Sequence, residues 1–240
     1  MKILDTLGVK IFADGADIES ILELYKNPYI KGFTTNPTLM RKAGIADYEG
    51  FSRKLIEAIP DRPISLEVFA DDFLEMEKQA HKIASWGKNV YVKIPVTNTK
   101  GESSCPLISR LNNAGVQINV TAMLTLNQVQ DVANALSAKT PAIASVFGGR
   151  IADTGVDPVP IMVRALEVLK ILPKAELLWA SPREILNIIQ AAEIGCHIIT
   201  VTSDILKKLF LLGKNLEAYS LETVEMFYND ATAAGYSINT

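Results

Sequence analysis

Val90-Tyr91-Val92-Lys93-Ile94-Pro95-Val96 is an apolar, largely β-branched run with one lysine at its centre. Such a run reads as a fully buried strand. Side chains alternate along a strand, so Tyr91, Lys93 and Pro95 share one face while Val90, Val92, Ile94 and Val96 share the other. A lysine is almost never buried without a partner or a purpose. Burial disfavours a charged amine, a neutral amine is a nucleophile, and a buried nucleophilic lysine suits Schiff-base chemistry on a carbonyl. By itself the run leaves a second reading open, a lysine paired with a buried carboxylate or reaching solvent from an edge.

Working outward, seven further β-branched-rich runs accompany this one: Lys10–Asp14, Lys31–Thr35, Ile64–Phe69, Gln117–Met123, Ala142–Phe147, Glu176–Ala180 and His197–Thr202. Amphipathic stretches separate them, at Asp17–Tyr25, Phe51–Ile59, Leu74–Trp86, Leu107–Asn113, Leu126–Leu136, Pro158–Leu172 and Pro182–Ala192, and Ser203–Leu211 follows the last. Thr125-x-x-Gln128 and Ser181-Pro182-Arg183-Glu184 have the form of capping boxes, the second with proline at the first helical position. Strict alternation of strand and helix implies parallel strands joined by right-handed crossovers. Eight such units predict an α/β fold, a closed (β/α)8 TIM barrel. No Gly-x-Gly-x-x-Gly follows the first strand, which weighs against a dinucleotide-binding sheet. The segment from about 213 to 240 has no strand after it and reads as an extra C-terminal helix, free to cover the barrel or reach a neighbouring subunit. Without a linker or low-complexity tract, residues 1–240 read as one domain.

Composition narrows the function. A net charge of −3 and a pI near 5.5, with no block of lysine and arginine, argue against a nucleic-acid or anionic-membrane surface. Two cysteines, Cys105 and Cys196, and two histidines, His81 and His197, make neither a disulfide framework nor a zinc site. The N-terminus lacks a signal-peptide pattern and no apolar run approaches the length of a membrane span, so a cytoplasmic protein is expected.

The period-2 reading extends to the other strands. Ser65, Glu67 and Phe69 share one face of the third, Gln117, Asn119 and Thr121 one face of the fifth, and Ile143, Ser145 and Phe147 one face of the sixth. On the seventh, Leu177, Trp179 and Ser181 fall together, and Asp14 ends the first. The aliphatic faces must meet the helices, so the polar faces are expected to point into the barrel near the C-terminal strand ends, where barrel enzymes keep their active sites. Stability alone does not call for a lysine, carboxylates, an amide and hydroxyls converging from different strands. Arg150 follows the sixth strand and Arg183 the seventh. With a Ser181-capped helix N-terminus they would form an anion site suited to phosphate, although each arginine could equally pair with a surface carboxylate.

With these residues laid out, the chain resembles the transaldolase family of class I (Schiff-base) enzymes over nearly its whole length, and specifically its short branch, which includes the fructose-6-phosphate aldolases. The motifs are Gly32-Phe33-Thr34-Thr35-Asn36-Pro37-Thr38, Tyr91-Val92-Lys93-Ile94-Pro95, Asn119-Val120-Thr121, Ser145-Val146-Phe147-Gly148-Gly149-Arg150-Ile151 and Ala180-Ser181-Pro182-Arg183. The resemblance implies that Lys93 forms the Schiff base with the C2 carbonyl of a ketose phosphate. It implies that Asp14 handles the C4 hydroxyl proton, and that Glu67, through a water shared with Thr121, manages protons during carbinolamine formation and dehydration. Asn36 and Asn119 would bind the dihydroxyacetone hydroxyls, with Thr35, Ser145 and Phe147 also on the substrate, while Arg150, Ser181 and Arg183 would hold its phosphate. No metal or cofactor is needed, because the protonated imine is itself the electron sink. Phe33 and the Gly148-Gly149 pair depart from the usual motifs, and the glycines are expected to loosen the loop before Arg150.

The activity implied is transfer of a dihydroxyacetone unit from fructose 6-phosphate or sedoheptulose 7-phosphate to an aldose phosphate. Its rivals are a lyase releasing free dihydroxyacetone, a transaldolase for a ketose bearing another anion or chain length, and a barrel that binds sugar phosphates without turnover. Fructose-6-phosphate aldolases resemble this chain but carry tyrosine at Phe147 and glutamine at Glu67. A homo-oligomer is also implied.

Overall fold

The computed structural model describes residues 4–238, the side chain of Asp5 excepted. The eight apolar runs form strands β1 (Lys10–Asp14), β2 (Ile30–Thr34), β3 (Ile64–Glu67), β4 (Val90–Pro95), β5 (Ile118–Met123), β6 (Ala142–Val146), β7 (Ala175–Trp179) and β8 (Ile198–Thr202). Each pairs in parallel with its sequence neighbour, and β8 returns to β1, with Lys10 opposite Ile198 and Asp14 opposite Thr202. The result is a closed TIM barrel. Helices α1 (Ile18–Tyr25), α2 (Pro37–Lys42), α3 (Tyr48–Ala58), α4 (Phe73–Ala84), α5 (Cys105–Asn113), α6 (Leu126–Ala135), α7 (Gly148–Asp153), α8 (Val159–Leu169), α9 (Leu186–Glu193) and α10 (Ser203–Leu206) follow the strands in turn. A last helix, α11 (Leu216–Ala233), lies beyond the barrel. None of these helices is long and apolar enough to cross a membrane.

Two apolar layers follow from strand alternation. Ile11, Ala13, Leu66, Val92, Ile94, Val120, Ala144, Leu177, Trp179 and Val201 face outward and form one continuous core with the helices. Inside, Phe12, Ile143, Leu178, Ala180 and Ile198, with Tyr91 and Phe147, make a separate cluster that fills the barrel. Gly32 makes room for it: a Cβ there would lie 2.5 Å from the Phe12 ring. The barrel is thus packed toward the N-terminal strand ends and leaves its polar residues at the opposite ends.

The phase of β7 differs from expectation. Leu178 and Ala180 point inward, while Leu177 and Trp179 face the helices. Register decides this, because Leu177 and Trp179 pair with the outward Ala144 and Val146 of β6. The indole is too large for the filled interior, and it fits outside against Gly148, where a Cβ would come within 2.5 Å of its Nε1. The Thr125–Gln128 capping box forms, but the one expected at Ser181 does not. The residue before a proline is disfavoured in the helical region, and Ser181 instead takes φ +59°. Helix α9 begins only at Leu186, and the Asn187 side chain accepts the Arg183 and Glu184 amides at 2.8 and 3.2 Å. Helices α2 and α7 lie outside the amphipathic stretches expected from the sequence; Asn36-Pro37, a cap residue followed by proline at the first helical position, carries a start signal for the first, whereas α7, opening on two glycines, carries none.

Candidate active site

At the C-terminal strand ends lies a cavity of about 650 Å³, lined by Asp14, Glu67, Lys93, Asn119, Thr121 and Ser145 below and by Arg150 and Arg183 at its rim. Lys93 reaches it because β4 alternates: Tyr91 plugs the barrel one layer down, and Lys93 stands one layer up. The residue is only 7% exposed, and its amine donates to the Thr35 carbonyl at 2.7 Å and lies 3.2 Å from Glu67 Oε2. A carboxylate partner is therefore present, so the pairing and catalytic readings of this lysine coincide in one geometry. Thr35 supplies that carbonyl, while its side chain, expected on the substrate, is turned to the Ser65 carbonyl at 3.2 Å, outside the cavity lining. Strand β2 alternates, and Thr34 is the residue that faces in.

Asp14 accepts from Thr34 Oγ1 at 2.8 Å and from Asn36 Nδ2 at 3.1 Å. The Thr34 hydroxyl in turn lies 2.5 Å from that of Thr200 on β8. Burial raises the Asp14 carboxyl above its ordinary pKa, against the opposing pull of Lys93 and the Thr34 hydroxyl. Asn36 caps α2 by accepting the Leu39 amide at 2.9 Å, which fixes its amide group and leaves one Nδ2 hydrogen for the cavity. Thr34 and Thr200 were missing from the sequence-level site, although the alternation that selects Asp14 on β1 selects them on β2 and β8. A second network spans the far wall: Asn119 donates to Ser65 Oγ at 3.0 Å and accepts from Ser145 Oγ at 2.6 Å. Thr121, 3% exposed, stands one layer above Asn119 on β5. Both non-glycine residues with positive φ among those described, Ala122 at the β5 bulge and Ser181, line this cavity. Strain of this kind gathers where a site over-determines its backbone.

The rim brings together the predicted anion-binding residues, though not in the form expected. Ser181 lines the cavity through its left-handed backbone, which breaks strand alternation, and it contributes no helix N-terminus. Arg150 lies over the Phe147 ring, 5.9 Å from its centroid. Arg183 forms an ion pair with Asp153 of α7 and holds that carboxyl below its ordinary pKa. The glycine pair tightens the loop it was expected to loosen. A Cβ on Gly149 would stand 1.5 Å from the Ser181 carbonyl oxygen, so only glycine lets the turn before Arg150 dock on the turn before Arg183.

The geometry coincides with similarity to known proteins. The sequence family described as Transaldolase/Fructose-6-phosphate aldolase matches residues 11–239. A protein of Dehalococcoides mccartyi named "Probable transaldolase" is 36% identical over 202 residues, 84% of this chain and 90% of its own length. One of the same name from Chelativorans sp. is 35% identical over 216 residues, 88% and 94% of the two chains. Among solved structures, 2,3-dimethylmalate lyase superposes with a TM-score of 0.55 at 11% identity, covering 98% of this chain and 87% of that one. The 3-keto-L-gulonate-6-phosphate decarboxylase of Vibrio cholerae does so with 0.54 at 11%, covering 81% and 87%. At such identities the structural likeness speaks for the barrel alone.

Proposed function

The chain belongs to the transaldolase/fructose-6-phosphate aldolase family, and on that premise we propose that it is a transaldolase moving a dihydroxyacetone unit between sugar phosphates through a Schiff base on Lys93. The carrying observation is the Lys93 amine held 3.2 Å from Glu67 at the floor of the cavity, with Asp14 on a separate hydrogen-bonded wall. The amine adds to the C2 carbonyl of the ketose. Glu67, with a water shared with Thr121, delivers the proton that lets hydroxide leave the carbinolamine as water, which gives the iminium. Asp14 takes the C4 hydroxyl proton, the C3–C4 bond breaks, and its electron pair runs into the iminium to give an enamine while the aldose phosphate leaves. A carboxyl whose pKa burial raises is suited to holding that proton and returning it. Asn36, Asn119 and Ser145 bind the hydroxyls of the retained three-carbon unit.

Phe147 favours transfer over hydrolytic release. It lines the cavity with a ring that has no hydroxyl to hold or activate water beside the enamine, so the intermediate waits for an aldehyde. With fructose 6-phosphate and an aldose phosphate acceptor, transfer is expected to be fast, and without acceptor little dihydroxyacetone should appear. Phe147→Tyr should raise release relative to transfer. An unaltered protein that releases dihydroxyacetone as fast as it transfers it is a lyase.

Arg150 and Arg183 with Ser181 suit the substrate phosphate. Removing either arginine should raise KM for phosphorylated donors roughly 10- to 100-fold, the equivalent of one charge-assisted contact, and leave unphosphorylated dihydroxyacetone donors nearly unaffected. Equal effects on both donors would make the arginines structural. Asp153 supports a second reading of this rim. With it the anion pocket carries a single net positive charge from Arg150, Arg183 and Asp153, and a ketose bearing a monoanionic group would also be accommodated.

Homo-oligomerisation is supported by α11, none of whose residues is buried and which exposes Leu216, Leu221, Val224, Phe227 and Tyr228. Apolar surface of that extent on one helix calls for a cover, here a second copy of the chain. Sedimentation should give a multiple of 26.2 kDa; a monomeric mass would refute this without touching the chemistry.

A further inference from the structure

We infer that Tyr48, at the start of α3, is a positioning residue that sets the reach of Glu67 toward Lys93; the proposal rests on the acid/base role given to Glu67 above. The reasoning begins at the end of β2. Its last pair with β3 is Thr34 with Ser65, and Thr35 still donates to the Ser65 carbonyl at 3.2 Å. The chain then turns through Asn36 into α2. Two residues further along β3, the amide and carbonyl of Glu67 face the side that β2 has left, because N–H and C=O of alternate residues point to the same neighbour. On the other side β3 keeps its strand, and Val68 donates to the Lys93 carbonyl at 3.1 Å.

The Tyr48 hydroxyl occupies the vacated place. It accepts from the Glu67 amide at 2.8 Å and donates to the Glu67 carbonyl at 3.0 Å, so one side chain does what a strand residue would have done. The ring has little freedom to wander, since Phe69 meets it edge-on with centroids 4.5 Å apart and Trp86 stands 6.1 Å away. Burial pushes the Tyr48 pKa well above its ordinary value, so the hydroxyl keeps the proton it donates. Tyr48 does not line the cavity and touches no part of a substrate there. Its effect passes through the main chain of the one carboxylate paired with Lys93. An interface of this kind matters because a displacement of about 1 Å in a catalytic group lowers rates by as much as 100-fold.

The test is a double-mutant cycle on the full-length enzyme with Tyr48→Phe, Glu67→Gln and both together. Tyr48→Phe keeps the ring and deletes both hydrogen bonds. It is expected to lower kcat roughly tenfold and leave the donor KM within twofold, a split that loss of folded protein alone would not give once activity is scaled to folded enzyme. In the Glu67→Gln background the same change should have less than a twofold effect, because the carboxylate it positions is gone. A tenfold loss in both backgrounds, or no loss in either, overturns the role of Tyr48. Full activity of Glu67→Gln alone overturns instead the acid/base reading beneath it. Should Tyr48→Phe not fold, Phe69→Leu decides: it frees the ring while keeping the hydroxyl, and a two- to threefold fall in kcat that disappears in the Glu67→Gln background is expected. Its absence, or its persistence there, overturns the proposal.

Discussion

Replacing Lys93 by methionine is expected to abolish turnover, by a factor on the order of 10^5, the scale on which removing a covalent nucleophile acts. Methionine matches the aliphatic stem and fits the same channel on β4, so the barrel has no steric reason to change. The substitution removes the amine and with it both the nucleophile that adds to the substrate carbonyl and the iminium that would serve as sink for the carbanion. Glu67 loses its ion-pair partner but stands at the cavity, where it can take up a proton or a water. The measurement is borohydride reduction with a ketose phosphate. The unaltered enzyme should be inactivated irreversibly and carry the added mass on the peptide containing Lys93, whereas Lys93→Met should carry none. A label on another peptide, or no mass shift in the unaltered enzyme, would sink the assignment.

Asp14→Asn is expected to lower kcat roughly 10²- to 10⁴-fold, the range for loss of a positioned general acid/base, while making the protein more stable near neutral pH. The hydrogen bonds can be kept. The new amide oxygen accepts from Asn36, and its NH2 donates to Thr34, whose hydroxyl then turns to Thr200, 2.5 Å away. The stability sign follows from linkage. Burial raises the pKa of Asp14 in the folded state above the ordinary 3.8, so the folded protein holds this proton more tightly than the unfolded chain. Ionisation therefore destabilises the fold as pH rises above about 3.8 and does so fully above the folded pKa. An uncharged asparagine escapes that penalty. Melting temperatures should thus favour Asp14→Asn at pH 7, with the margin vanishing toward pH 3. A variant less stable than the parent at pH 7 would contradict the burial argument.

Sequence and structure share the site unevenly. Lys93, Glu67, Asn119 and Ser145 were legible because each lies between two aliphatic neighbours on β3 to β6 and so falls on the opposite face from them. The same alternation on β2 and β8 selects Thr34 and Thr200, which make the Asp14 network and were missed because it was not followed onto those two strands. Thr35 stood out only through its motif, and its carbonyl rather than its hydroxyl meets Lys93. On β7 both faces are apolar, so composition could not fix the phase, and the register with β6 did.

The sequence by itself determined the barrel, because eight apolar runs and eight amphipathic ones can bury their faces together only as strands inside helices. It also determined which strand ends gather the polar side chains that line the cavity, since a period of two is a local property of the backbone. Only the tertiary structure decided how the loops beyond those ends meet. Gly149 must lack a side chain because the Ser181 carbonyl arrives 1.5 Å from where its Cβ would be. Arg183 answers to Asp153 across the rim, and Tyr48 closes a gap that appears only where β2 turns away from β3. Such contacts join residues with no common period, and they exist only once the barrel has closed and brought its loops together.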